Sequence, residues 1–247
     1  MNDGPIIIHE DDCLLVVYKP GGMPAVSLKS GERGTLASWI LDIYPEQAEI
    51  GPGNREAGLC HRLDNDTSGL MVAARTAQSY ESLRAQFISG EIVKEYTALV
   101  IGIPPEECAI DAPIAHHPRK KAKMVVCDSA ARADEWKGRP ARTFFSVVKR
   151  YELNDKGRTT HYALVSVRIE TGVRHQIRAH MAHVGHPLAG DWLYQNPAKR
   201  AADTLPLARH FLHCSRLSFR HPASGGLMSF TSPLPDELQD ALNLMTE

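Results

Sequence analysis

Cysteine is scarce in this 247-residue chain: five residues, Cys13, Cys60, Cys108, Cys127 and Cys214, with no C-x-x-C pair among them. An odd, scattered set argues against a disulfide framework and against a thiolate zinc site, and it suits small buried apolar side chains in a reducing compartment. Long apolar runs are also missing. None approaches the ~20 residues needed to cross a bilayer, and no basic, apolar leader opens the chain. A cytoplasmic protein without membrane attachment is therefore expected. Neither GxxxxGK[ST] nor GxGxxG occurs, which removes the usual phosphate-cradling loops, and the absence of HExxH removes the zinc-protease helix. Charge of one sign is lacking too: 28 Lys and Arg stand against 29 Asp and Glu, a net of −1. Composition alone names no nucleic-acid partner.

The distribution of charge says more. Residues 1–66 hold 5 basic against 11 acidic side chains, whereas residues 113–180 hold 15 against 6. A basic middle on a neutral chain is compatible with a phosphate-tracking surface. Strands are expected at Ile6–His9 and Leu14–Tyr18 around an Asp11-Asp12 turn, then at Gly69–Ala74, Tyr96–Ile101, Phe144–Tyr151, Tyr162–Ile169, Phe211–Phe219 and Leu227–Phe230. Helices are expected over Thr35–Tyr44, with Leu36, Trp39, Ile40 and Ile43 on one face, and between Thr76 and Gly90, with Leu83, Phe87 and Ile88 recurring. Further helices should cover His175–Val184 and Pro235–Met245. Lys19-Pro20-Gly21-Gly22-Met23-Pro24 reads as a loop, and 103–140 as a long basic excursion carrying a hairpin or loops. Strands outnumber helices and neighbours can pair as hairpins, so an α+β fold with a largely antiparallel central sheet is expected. No strong linker interrupts it, and 1–247 reads as one domain.

The densest chemistry lies in His61-Arg62-Leu63-Asp64-Asn65-Asp66-Thr67-Ser68-Gly69-Leu70. Two carboxylates, an arginine, a histidine and two hydroxyls precede an apolar strand, and polar groups at the mouth of a buried strand are held rigidly. Asp66 and Thr67 suit the plainer role of capping backbone amides in a turn.

HRLDNDTSGL resembles the signature of the RluA-type RNA pseudouridine synthases, HRLD followed by two variable residues and TSG. Lys94-Glu95-Tyr96-Thr97-Ala98-Leu99-Val100 with Gly102, and Glu170-Thr171-Gly172-Val173-Arg174-His175-Gln176-Ile177-Arg178-Ala179-His180, resemble two further motifs of that family. So do His186-Pro187-Leu188-Ala189-Gly190-Asp191 with Tyr194, Leu212-His213, and His221-Pro222. The likeness spans roughly residues 7–222. It implies the pseudouridine synthase fold, a bent antiparallel sheet flanked by helices. It also implies a cofactor-free isomerase, without metal, that turns specific uridines of ribosomal or transfer RNA stem-loops into pseudouridine.

On the same resemblance Asp64 is the essential carboxylate, acting as nucleophile or base. Tyr96 would stack on the target uracil, Arg178 would pair with Asp64 and keep it ionised, and Arg62 would enter the space left by an extruded base. Departures stand at Val173-Arg174, where the family carries Arg-Thr, at Val26-Ser27 and at Gln195. A separate N-terminal RNA-binding module is not expected, so RNA recognition would fall to the catalytic body, with no obligate protein partner. Three rival readings remain at the level of residues. A metal hydrolase would use His175, His180, His183 and His186, a glycosidase-like hydrolase would pair Asp64 with Asp66, and the third rival is a non-catalytic RNA-binding protein.

Overall fold

The computed structural model of the chain describes residues 4–27, 33–53, 55–155 and 157–246. In chain order these form β1 (Ile6–Glu10), β2 (Leu14–Lys19), α1 (Leu36–Ile43), β3 (Ser68–Ala74), α2 (Ala77–Ser89) and β4 (Val93–Ile101). Next come β5 (Glu107–Asp111), β6 (Ile114–His116), β7 (Met124–Val126), α3 (Ala130–Glu135), β8 (Arg142–Asp155) and β9 (Arg158–Ile169). The chain closes with α4 (Gln176–His183), α5 (Pro197–Ala202), β10 (Leu212–Arg220), β11 (Leu227–Thr231) and α6 (Asp236–Asn243). Two compact units result, Met1–Lys94 with Cys214–Pro233, and Glu95–His213 with Leu234–Glu247.

In the first unit the strand order is β1-β2-β3-β10, with β11 paired to β10. The β1–β2 turn is set by Asp11, whose carboxylate accepts the amides of Cys13 and Leu14 at 2.7 and 2.9 Å, an Asx turn. Every residue of β3 is buried, as its unbroken apolar run requires. Thr35 and Ser38 cap α1 reciprocally, each side chain accepting the other's amide at 3.0 Å. That helix buries Leu36, Ala37 and Ile40 and leaves Ile43 exposed. Its first turn is the anchored end, because the amides of Leu36 and Ala37 bond the carbonyls of Pro24 and Ala25. Thr76 caps α2 through the Ser79 amide, and Gly90 ends it in the left-handed region. The buried stripe runs Ser79, Tyr80, Leu83, Gln86. Ile88, five residues past Leu83 and so about 140° off that line, is exposed.

The second unit orders its strands β4-β9-β8-β5, with antiparallel registers throughout. β8 and β9 form a long hairpin, shifted in register between Val147 and Lys149; Lys156, in the polar stretch Asn154-Asp155-Lys156-Gly157 that the sequence marks as their turn, lies outside the described residues. Leu99, Ile101, Tyr162, Phe211, Leu238 and Leu242 share one core, which brings α6 onto the sheet. The excursion after β4 consists of the edge strand β5, the β6–β7 hairpin and α3. The short α5, unforeseen in the sequence, starts with Asn196 accepting the Lys199 amide at 2.9 Å and Pro197 in its first turn. The whole is a mixed α and β fold with a mostly antiparallel sheet.

Candidate active site

The loop that carries Arg62 and Asp64 belongs to the first unit and feeds β3. Asp64 opens a tight turn in which the Thr67 amide bonds the Asp64 carbonyl at 3.0 Å. Arg62 is exposed, Asp64 half-buried and Thr67 buried. Three features hold this turn. Lys19 ends β2 fully buried, and its ammonium donates to the carbonyls of Pro20, Met23 and Asn65 at 2.8, 2.7 and 2.9 Å. A charged donor bonded to these three carbonyls ties the Lys19-Pro20-Gly21-Gly22-Met23 loop to the residue after Asp64. Gly69 sits at φ 125°, and a Cβ there would lie 2.3 Å from the Cys214 carbonyl oxygen and 2.5 Å from its nitrogen. Only glycine lets β3 approach β10 this closely directly after the turn.

His61 is the third feature. Its Nε2 accepts the Val72 amide at 3.2 Å, and its ring packs tilted by 35° against Phe87 with centroids 4.9 Å apart. Desolvation, and secondarily the Lys94 ammonium, push its pKa down to about 3. It is therefore a neutral structural ring at physiological pH and no proton shuttle. Lys94 is itself buried, its ammonium 5.4 Å from the Phe87 ring, and burial lowers its pKa as well.

In the second unit, Tyr96 lies on β4, opposite Val167 of β9 and 5% exposed. Its strand alternates cleanly here, with Lys94, Tyr96 and Ala98 buried and Glu95 and Thr97 half-exposed. Arg178 is placed by α4. Gln176 and His180, one turn apart, clamp one face of this helix to β8. Gln176 donates to the Arg142 carbonyl and the Thr143 hydroxyl at 2.9 and 3.1 Å, while its carbonyl accepts the Val173 amide and the Thr171 hydroxyl. The Thr143 hydroxyl and the Ala112 carbonyl engage the two nitrogens of His180 at 2.8 and 3.0 Å. Arg178, two residues from each, turns to the other side and grips Asp191. Nε donates to Oδ2 at 2.7 Å and Nη2 to Oδ1 at 2.9 Å, a bidentate pair that is almost fully buried.

The amino-acid sequence over residues 13–183 matches the family model for RNA pseudouridylate synthase. The chain belongs to the RNA pseudouridylate synthase family. Among curated members, an RNA pseudouridine synthase of Chloroflexus aurantiacus is 41% identical over 93% of this chain. Ribosomal large subunit pseudouridine synthase D of Neisseria meningitidis is 36% identical over 97%. The chain spans 66% and 60% of the lengths of these two relatives. The solved structure of human RNA pseudouridylate synthase domain containing 1 shares the fold, with a TM-score of 0.73 at 22% identity, over 97% of this chain and 88% of that one.

Membership of this family places Asp64, Tyr96, Arg62 and Arg178 within the matched segment, and leaves Asp191 and Tyr194 beyond it. In the sequence Asp191 stands inside a motif with no role of its own, and Lys19 opens the Pro- and Gly-rich loop. The available signal for Lys19 was a lysine prolonging the apolar run Leu14–Tyr18. For Asp191 there was none, because nothing in a one-dimensional string says which carboxylate an arginine will meet.

Three of the four histidines weighed as metal ligands have other work. His180 is engaged at both nitrogens, His175 meets the Tyr194 hydroxyl at 3.1 Å, and Nδ1 of His186 bonds the Ile101 carbonyl at 3.2 Å. Among the described residues one trio of ligand-type side chains clusters, Asp11, Cys13 and His221. There Nδ1 of His221 accepts the amides of Ala223 and Ser224. Its Nε2 therefore carries the proton and donates to Asp11 at 3.2 Å. A protonated nitrogen is no metal ligand, and the trio works as a polar latch on the β1–β2 turn. The first unit thus offers a rigidly held aspartate turn, and the second, by itself, a buried strand tyrosine and a pre-oriented guanidinium.

Proposed function

We propose that this chain is an RNA pseudouridine synthase that isomerises uridines of ribosomal RNA, with Asp64 as its essential carboxylate. The observation that carries the reading is the family match over residues 13–183 with HRLDNDTSG intact inside it. The relatives named ribosomal large subunit pseudouridine synthase D favour ribosomal over transfer RNA as substrate. In this reading Asp64 attacks the target nucleotide or assists loss of its base, which a lone ionised carboxylate can do as nucleophile or base. Tyr96 stacks on the uracil, Arg178 serves as counter-ion to Asp64, and Arg62 fills the space of the flipped base.

The isomerisation conserves every atom. The base is detached at its ring nitrogen, turned, and rejoined through carbon five, so a synthase keeps uracil in the chain where a hydrolase would release it. Pseudouridine mapping of ribosomal and transfer RNA from cells with and without the gene tests substrate class, and loss of at least one ribosomal site is expected. Purified Asp64→Asn protein should make no pseudouridine while keeping its fold and RNA affinity. Turnover by that variant at an appreciable rate would remove Asp64 from its role.

A further inference from the structure

The ring of Tyr194 is shared by two cations. The Arg178 guanidinium lies 5.2 Å from its centroid and the Lys123 ammonium 4.8 Å from it. Arg178 has its carboxylate, Asp191, in a bidentate grip. Lys123 has none of its own: the carboxylate that acts on it is the same Asp191, while Lys120 repels it and burial removes part of its hydration. Asp191 is thus shared between Lys123 and the guanidinium that already grips it, and Lys120 adds positive charge beside them. A partly desolvated ammonium whose one carboxylate is already gripped by another cation gains from an arriving anion.

Nor is Lys123 a loose surface side chain. Its carbonyl accepts the His117 amide at 3.0 Å, its amide bonds the Lys120 carbonyl at 2.9 Å, and the next amide, of Met124, bonds the Tyr194 hydroxyl at 2.8 Å. The backbone on both sides is therefore fixed, and the aromatic face holds the ammonium in place. The rest of the β6–β7 turn continues the positive surface with Arg119, Lys120 and Lys121, all exposed.

We propose that Lys123, seated on Tyr194 beside the Arg178–Asp191 pair, is a pre-organised receptor for one backbone phosphate of the RNA substrate. The inference rests on the synthase reading above and adds to it a contact outside the residues that the family resemblance assigns. A receptor held in place before binding loses little side-chain entropy on contact, unlike the mobile lysines of an ordinary basic loop.

The test measures binding of an unmodified large-subunit ribosomal RNA transcript by full-length Asp64→Asn protein across a salt series. Lys123→Met and Lys123→Gln are each added, the first keeping the apolar stem and the second a polar tip, so that a folding defect in one leaves the other readable. Removing one phosphate contact should lower the slope of log affinity against log salt by ~0.7–0.9, which weakens binding about sixfold at 0.1 M salt. Lys123→Arg should keep both the slope and the affinity. Folded Lys123→Met or Lys123→Gln protein with unchanged slope would overturn the phosphate contact while leaving the synthase reading intact. Failure of the Asp64→Asn parent to bind the transcript at all would remove the ribosomal RNA reading, and this one with it.

Discussion

Burial decides what individual charges do in this molecule. His61 shares a motif with Asp64, yet its ring is desolvated, accepts a backbone amide and titrates near 3. Its folded-state pKa lies below the usual 6.5, so the unfolded chain takes up a proton that the folded chain refuses. The stabilisation is complete above about pH 6.5 and declines as the pH falls toward 3, by ~1.4 kcal/mol per pH unit for one proton. His61→Gln should therefore flatten the pH dependence of urea unfolding between pH 6 and 4 by one proton; an unchanged slope would mean that another group is responsible. Asp191 presents the converse case, a carboxylate 1% exposed against a guanidinium 7% exposed. Breaking such a buried pair typically costs ~3–5 kcal/mol. Asp191→Asn and Arg178→Met should each destabilise by about that amount, and the double variant by clearly less than the sum. Strictly additive losses in a thermal or urea double-mutant cycle would show that the two side chains are energetically independent.

At the scale of elements, the approach of β3 to β10 depends on one missing Cβ. Gly69→Ala would place a methyl group within 2.7 Å of three Cys214 backbone atoms, at a φ that L-residues rarely adopt. Neither strand can retreat without losing its ladder, so we expect a loss of ~3 kcal/mol or more, or insoluble protein. Gly225→Ala is the matched control. It also has positive φ, 70°, but nothing within 4 Å of the added Cβ, and should cost about 1 kcal/mol. Equal melting temperatures for the two variants would show that steric contact at Cys214 is unimportant. The helix α4 illustrates the same economy of parts. Gln176 and His180 fix its position against Thr143, and Arg178 is thereby aimed at Asp191 by the 100° advance per residue.

For the molecule as a whole, near-neutral net charge conceals a basic middle. RNA binding by such a surface should fall steeply as salt rises, because affinity comes from displaced counterions. A log–log slope near zero for the full chain on ribosomal RNA would contradict that expectation. Within the described residues no helix is long and apolar enough to cross a membrane.

Local chemistry was legible in the residues themselves. Thr76 and Gly90 delimit α2, Asp11 makes its turn, and the apolar run after Ser68 is a buried strand. These features depend on neighbours within a few positions, which a sequence displays directly. Faces were less legible: Ile43 and Ile88 fit apolar patterns, but packing at α1's first turn and along Tyr80–Leu83 left both exposed. Partners across long separations were not legible at all. Asn65 meets Lys19 across 46 residues, Tyr194 meets the Met124 amide across 70, and Gln86 bonds the Arg220 carbonyl across 134. Which donor a buried ion or amide finds depends on the distances that folding creates and on the water it excludes, and these exist only in three dimensions.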